Sequence, residues 1–582
     1  MSEAISYRMP YSLRHLFATL LIYCNPTNPR ELWEKFEKPL SEDFHKYTNL
    51  GTRDIRFRVL NHINDILHSM GHDINEFQLI PEMIKPPEIE KEAKDVHFER
   101  SITVSEQDLL LEKKLNIEQK RAYHVILERI FSNKSGAFFI DGPGGTGKIF
   151  LYRALLATVR HRGFIALATA SSGVAASLLP GGRTAHSRFK IPIDIEENFN
   201  CNISKQSSLA SLIRDAKLIV WDEISMAKKK MVEALDLLLK DLMETNILFG
   251  GKVIVFSIDF RQTLPVVRSG KKEDFIRESL LCSDIWNQLE KLQLTENMRA
   301  KTDPAFCEYL MRIGNGSEKK NTQGKITIPH SLIIPFTSEQ ESLQFLFRVT
   351  YPNLHVHHSD ASFITSRAVL TTKNDFVDEI NNMLITQYPT PPKIYLAIDE
   401  TIDPKDQSEY EDFMHSLNPV GLPPYKLTLQ KNCPIMLLRN LNPYDGLCNR
   451  TRLICNDFKS HIISATISSG DLKNKHVFIP RIPLLTSQDE KLPLQFKRTQ
   501  FPIRLCYAMT INKAQGQTLD FVGIYLREPT FSHGQLYVAL SRAKSSNCVK
   551  VLIRPSTAED NDDHSTYNVV YDEVIEKAFS VD

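Results

Sequence analysis

Hydrophobic and polar positions change their rhythm along the chain. Over the first hundred or so residues apolar side chains recur at helical spacing, as in Pro29-Arg30-Glu31-Leu32-Trp33-Glu34-Lys35-Phe36, which predicts a mostly helical region. Pro81, Pro86 and Pro87, between Ile80 and Glu88, predict a linker, and the mixed charges from Glu90 to Lys114 predict a partly helical run. From Leu115 short apolar runs alternate with helical patterns. The runs are Ala137–Ile140, Phe164–Thr169, Leu218–Trp221, Lys252–Phe256 and Ala368–Leu370. That alternation predicts βαβ units and a parallel sheet, an α/β fold. The Pro- and Asp-rich stretch from Pro389 to Pro424 predicts loop. Short runs between Leu427 and Pro483 (Pro434–Leu438, Arg452–Cys455, His461–Ile467, His476–Ile479) predict a small β insert. The βα pattern returns at Ile503 and ends near Pro555, leaving a polar tail. No internal repeat is visible.

Length and composition narrow the class. A chain of 582 residues is too long for one core, so three or four domains are expected. With 42% apolar and 24% charged residues, wholesale disorder is excluded. The most apolar early stretch, His15 to Tyr23, is far shorter than the ~20 residues of a membrane span. Arg8 and Arg14 precede it, but no small-residue cleavage site follows, so no secretory signal is expected. The 71 basic and 70 acidic residues leave a net charge of +1, so any nucleic-acid contact must come from a local groove. Nine scattered cysteines without a Cys-x-x-Cys pair argue against zinc ribbons and fit a reducing setting.

Candidate chemistry begins at Gly142-Pro143-Gly144-Gly145-Thr146-Gly147-Lys148. This string follows an apolar run and opens a helical pattern from Phe150 to Arg160, the context of a phosphate-binding loop. Its glycines let backbone N–H groups turn inward on phosphate oxygens, the helix N-terminus adds partial positive charge, and Lys148 reaches the phosphates. The alternative is a plain Gly-rich turn, against which strand, loop, lysine and helix agree. The next position wants a Ser or Thr hydroxyl for Mg²⁺; it is Ile149, which has no side-chain oxygen.

The apolar run Leu218–Trp221 ends in Asp222-Glu223. Ligands bind at the carboxyl ends of strands in such sheets. Asp222 is the expected Mg²⁺ holder and Glu223 the group that orients and deprotonates the attacking water. A second strand leads to Asp259-Phe260-Arg261-Gln262, where Gln262 is placed to sense a γ-phosphate. Arg299 and Arg542 are candidates for neutralising charge in the transition state.

Taken in order, these strings resemble superfamily-one DNA helicases of the Pif (petite integration frequency) type, most closely the helicase half of Helitron transposon proteins. The resemblance is carried by Leu115-Asn116-Ile117-Glu118-Gln119, the phosphate loop, Gly181-Gly182-Arg183-Thr184-Ala185-His186-Ser187, Trp221-Asp222-Glu223, Asp259-Phe260-Arg261-Gln262 and Thr295-Glu296-Asn297-Met298-Arg299. It continues in Met509-Thr510-Ile511-Asn512-Lys513-Ala514-Gln515-Gly516-Gln517-Thr518 and His533-Gly534-Gln535-Leu536-Tyr537-Val538-Ala539-Leu540-Ser541-Arg542. The opening strings Leu13–Leu21 and Pro29–Trp33 resemble the segment that precedes the helicase in Helitron proteins.

The resemblance implies two RecA-like lobes with ATP between them. It divides the chain into a helical region over 1–110 and a first lobe over 111–300. The second lobe spans 301–426 and 503–556, interrupted by a barrel-like insert over 427–502, with a polar tail over 557–582. It assigns Gln119 to the adenine edge, and Lys148, Gln262, Arg299 and Arg542 to phosphates. Thr169, Ser171, Thr184, His186, Lys513 and Gln515 fall beside single-stranded DNA. The expected protein is a nuclear monomer without membrane attachment, using ATP and Mg²⁺ on single-stranded, forked or duplex DNA. It would translocate 5′ to 3′ in repair, recombination or telomere maintenance.

Two departures fall in the nucleotide site: Ile149 replaces the family's Thr, and Ser257-Ile258 replaces Gly-Gly before Asp259. They motivate a second reading, a hydrolysis-deficient, nucleotide-gated DNA-binding remnant. A P-loop switch that ignores DNA is a third, disfavoured by the two C-terminal blocks. His355-Val356-His357 reads as a polar loop and not as a nuclease metal pair, since no tyrosine pair at helical spacing accompanies it. Lys228-Lys229-Lys230 reads as a solvated helix face.

Overall fold

The computed structural model describes residues 1–47, 51–70, 72–80, 96–192, 201–267, 270–298, 303–419, 421–486, 492, 494–555 and 564–579. The chain forms two compact units. One comprises Met1–Lys85, Asn353–Thr365 and Asp378–Tyr507, and the other Pro86–Pro352, Ser366–Val377 and Ala508–Asp582.

The second unit holds two parallel sheets. The larger has strands β1 (Gly136–Asp141), β2 (Ile165–Ala170), β3 (Arg183–Thr184), β4 (Ala216–Asp222), β5 (Val253–Ile258) and β6 (Glu290–Gln293), in the order β3-β2-β4-β5-β1-β6. Alternate residues feed two apolar clusters. Phe138, Ile140, Val220 and Val255 pack with the helices Ile117–Phe131 and Lys148–His161. Phe139, Ile219, Trp221 and Phe256 pack with the helix Lys229–Met243, which buries Met231, Val232, Leu235, Leu238, Leu239 and Leu242 at helical spacing. Burial on both faces is why these strands read as continuous apolar runs. The smaller sheet has β7 (Arg367–Thr371), β8 (Ala508–Thr510), β9 (Phe521–Leu526) and β10 (Val549–Ile553), in the order β8-β7-β9-β10. A Cβ at Gly523 would stand 2.5 Å from Thr350 Oγ1, so glycine there lets the helix Glu339–Thr350 lie close against β9.

The other unit packs three helices, Pro10–Cys24, Pro29–Tyr47 and Thr52–Ser69, around Leu13, Phe17, Leu21, Trp33, Val59 and Ile63. Ile462 and Phe478 of a five-stranded antiparallel sheet join that cluster. The sheet runs His476–Pro480, Ile462–Ile467, Arg452–Phe458, Pro434–Leu437 and Ile503–Leu505.

Three expectations change. Ile503–Leu505 pairs antiparallel with Pro434–Leu437, so the βα pattern resumes at Ala508 and not at Ile503. The stretch expected as loop carries strands Lys393–Leu396 and Ile398–Thr401 and a helix Gln407–Ser416. Its acids misled because Asp399 is a buried partner: Arg498 donates to it through Nε at 2.8 Å and Nη2 at 2.7 Å. The expected polar tail contains a short strand, Ser565–Thr566, paired with Ile326–Thr327, and a helix, Asp572–Phe579. That helix buries Val574 and Ala578 in the same cluster as Trp221, a four-residue spacing hidden among charged neighbours. The expected linker lies outside the described residues beyond Ile80.

Candidate functional site

The loop after β1 is held from several sides. The helix Lys148–His161 starts behind Gly147 at φ 74°, and Gly145 has φ 103°, backbone that favours glycine. Asn116 and Gln119 form a reciprocal cap on the helix Ile117–Phe131, and the Gln119 amide also donates to Thr146 O at 2.8 Å. Thr146 Oγ1 donates to Pro143 O at 3.0 Å, and the Lys148 ammonium to Gly142 O. Gly144 and Gly145 carbonyls accept from Asn297 Nδ2 at 3.2 Å and the Met298 amide at 3.0 Å. The expected Arg299 lies just outside the described residues. Ile149 packs against the apolar cluster of the first sheet.

At the carboxyl end of β4, Asp222 is buried. That burial raises its carboxyl to about 7, Glu223 beside it pushes the same way, and Lys148 opposes them. Glu223 turns away from the strand with φ 53°. Its carboxylate accepts from Gln515 Nε2 at 3.1 Å, and the same amide lies 3.2 Å from Ser225 Oγ. Gln515 Oε1 accepts from Thr263. Gln515 follows β8, so an element of the smaller sheet reaches the acid that ends β4.

A second link runs through Tyr537, in the helix Gln535–Ser541. Its hydroxyl accepts from the Gly144 amide at 3.1 Å and donates to Asp259 Oδ2 at 2.9 Å. Gln262 Nε2 donates to the same oxygen at 3.3 Å, while Gln262 Oε1 is buried with no partner. Arg261 donates to Asp259 Oδ1 at 3.3 Å and lies 3.9 Å from Asp141, whose carboxyl is raised to about 6, mainly by burial. His533 accepts the Tyr571 amide at Nδ1 and donates from Nε2 to Phe260 O at 2.7 Å, fixing its neutral tautomer. Arg542 is buried and donates to Val538 O, Gln517 O and Ser541 Oγ, with Glu223 as its favourable charge.

The residues expected beside DNA divide. Thr184 caps the short helix Ala185–Phe189, His186 Nδ1 lies 3.0 Å from Ile191 O, and Lys513 donates to Asn374 at 3.1 Å; all three are half-buried. Ser171 Oγ accepts from Trp221 Nε1 at 3.0 Å. Thr169 has no exposed surface, and Gln515 is buried on Glu223, so neither presents a surface to a strand here. Sequence reading gave Tyr537, Asp259, Thr263 and Asn297 no role, although all but Thr263 sit inside the quoted strings. His355 and His357 lie on a short helix, and among the described residues no cluster of three His, Cys, Asp or Glu could hold a metal. Among the described residues no two cysteines are joined in a disulfide.

The residues suit a nucleotide: glycines at positive φ and a helix N-terminus would offer N–H groups and Lys148 a positive charge to phosphate, and Asp222 and Glu223 would offer oxygens to a cation. Position 149 supplies none.

Residues 114–324 match the family described as PIF1-like helicase, and residues 412–458 the family described as DNA helicase Pif1, 2B domain. The ATP-dependent DNA helicase PIF1 of zebrafish (Danio rerio) is 28% identical over 466 residues, covering 78% of this chain and 63% of its own length. That of Campylobacter jejuni is 27% identical over 431 residues, covering 71% and 88%. The chain therefore spans about three fifths of the zebrafish relative. The crystal structure of a Bacteroides Pif1 helicase in complex with ADP-AlF3 and single-stranded DNA superposes with a TM-score of 0.53 at 22% identity, covering 74% of this chain and 91% of that one. The shared fold is the α/β RecA-like core. Among the described residues no helix is long and apolar enough to cross a membrane.

Proposed function

We propose that this protein is an ATP-dependent DNA helicase that translocates on single-stranded DNA, 5′ to 3′, and opens forks. One observation carries the reading most: Gln515 and Tyr537, both from elements of the smaller parallel sheet, bond to Glu223 and to the phosphate loop of the larger one. A nucleotide held by that loop would lie where these bonds join the two sheets, so that binding and hydrolysis can tighten and loosen the joint, the two-state element a translocating motor needs. The relatives named above act as helicases, and one was solved with nucleotide analogue and single-stranded DNA, which supports the same reading.

In this mechanism Lys148 and the loop amides bind the phosphates, and the Gln119 amide faces the base. Glu223 orients the attacking water and takes its proton. Gln262, fixed by Asp259, senses the terminal phosphate, and Arg299 and Arg542 neutralise charge. Asp222 would hold Mg²⁺, which would supply positive charge to the phosphates. Thr184, His186, Ser171 and Lys513 line the path of the strand. The antiparallel strands between 427 and 502 form the small barrel-like insert, and the helices before residue 110 are the Helitron-type preceding region. The protein acts as a nuclear monomer.

The test is unwinding of a forked duplex with a 5′ single-stranded tail. Strand release with ATP and not with a non-hydrolysable analogue supports the proposal. Nucleotide-dependent binding of the single strand, without hydrolysis or release, favours the remnant reading that Ile149 motivates.

A further inference from the structure

Two buried hydroxyls lie near the Asp222 carboxylate, one beside it and the other beside the first. One belongs to Ser257, next to last in β5, and the other to Tyr152, in the second turn of the helix Lys148–His161. Ser257 is 1% exposed and Tyr152 0%, and neither hydroxyl closes a hydrogen bond of ordinary geometry. Ser257 is nonetheless the polar neighbour of both the Asp222 carboxylate and the Tyr152 hydroxyl, and a buried polar corner of this kind has to be explained.

Their position supplies the explanation. β5 lies between β4 and β1, with Phe256 opposite Trp221 and Ser257 opposite Ile140. Ser257 is therefore level with Asp222, at the carboxyl end of the sheet. Side chains alternate along a strand. Val253 and Val255 pack in the cluster beneath the helix Lys148–His161, and so does Val220. Ser257 and Asp222, each two residues further on, face the same helix. That helix opens with Lys148 and Ile149, and Ile149 packs on the same cluster. The oxygen missing from position 149 and the extra oxygen at position 257 thus belong to one corner of the site.

We infer that Ser257 supplies the hydroxyl oxygen that Ile149 does not, and that with Asp222 it holds the hydrated divalent cation accompanying a nucleotide. The inference rests on the nucleotide reading of this site. A hard cation such as Mg²⁺ keeps several waters and needs oxygen partners to orient them. Outer partners of that kind are commonly worth about 10- to 100-fold in metal affinity. The two departures from the family pattern then compensate each other: one removes an oxygen at the start of the helix, and the other adds one on the neighbouring strand.

The test separates metal from nucleotide. ADP affinity is measured by calorimetry on the full chain in EDTA, and Mn²⁺ affinity by electron paramagnetic resonance with ADP bound. Ser257→Ala is expected to leave ADP affinity in EDTA unchanged and to weaken Mn²⁺ about 10- to 100-fold. Adding Ile149→Thr to that variant is expected to restore most of the loss. Mn²⁺ affinity indifferent to Ser257→Ala overturns the inference while leaving the nucleotide site standing. Equal losses with and without metal overturn it too, since they mean a packing role. Absence of ADP binding in the unaltered protein overturns the nucleotide reading itself.

Discussion

Asp222 shows most directly how burial sets the chemistry of a single side chain. Its carboxyl is raised from 3.8 to about 7 by burial, with Glu223 adding to the shift. Between those values the folded protein holds a proton that the unfolded chain has released, so stability falls as pH climbs through that window. Above it the nucleotide-free protein carries a buried anion with Lys148 as its opposing charge. Asp222→Asn is expected to flatten the fall in Tm between pH 5 and pH 8 and to raise Tm at pH 8 by a few degrees. Thermal unfolding followed at both pH values checks this, and an unchanged pH slope contradicts it. A cation held by Asp222 would have the opposite dependence, because it needs the carboxylate charged. At the residue scale the loop, Asp222 and Glu223 are legible as candidates, because a Gly-rich string with Lys148 and a later strand ending in two acids stand in order along the chain. The bonds of Tyr537, Thr263 and Asp259 are not, since each partner lies in another part of the chain.

Among elements, the informative joints are those between the two parallel sheets. Gln515 after β8 bonds to Glu223, Ser225 and Thr263 on the far side, and Tyr537 in its helix to Gly144 and Asp259. Gln515→Ala and Tyr537→Phe should leave nucleotide affinity within about threefold, but each should cut DNA-stimulated turnover by about tenfold, since each removes roughly 1–2 kcal/mol of bonding from the closed state. Steady-state kinetics with and without single-stranded DNA reads the split. Equal losses of affinity and turnover would reassign these residues to binding. The helix Asp572–Phe579 gives a test of packing. Val574→Asp should cost about 2 kcal/mol or more because it buries a charge, whereas a solvated tail would tolerate it within ~0.5 kcal/mol. Denaturant titration distinguishes the two. This helix escaped sequence reading because eight residues with two buried apolar positions barely form a stripe. Asp399 escaped because its partner, Arg498, lies 99 residues away, and a pair that distant leaves no local pattern.

Across the whole molecule, the sequence conveyed the α/β class because strands covered on both faces leave apolar runs that local reading detects. It conveyed domain edges less well. Ile503–Leu505 reads like any short apolar strand, and only its antiparallel pairing with Pro434–Leu437 assigns it to the other unit. The near-zero net charge is consistent with a local grip on a strand and not with a broad basic surface. The central claim is that a phosphate loop lacking its usual hydroxyl still drives a DNA-dependent motor. The most direct measurement is ATP hydrolysis by this chain and by Lys148→Ala, each with and without single-stranded DNA. The expected result is turnover that DNA stimulates at least about tenfold and that Lys148→Ala abolishes. Nucleotide binding with no turnover, or turnover indifferent to DNA, would contradict it.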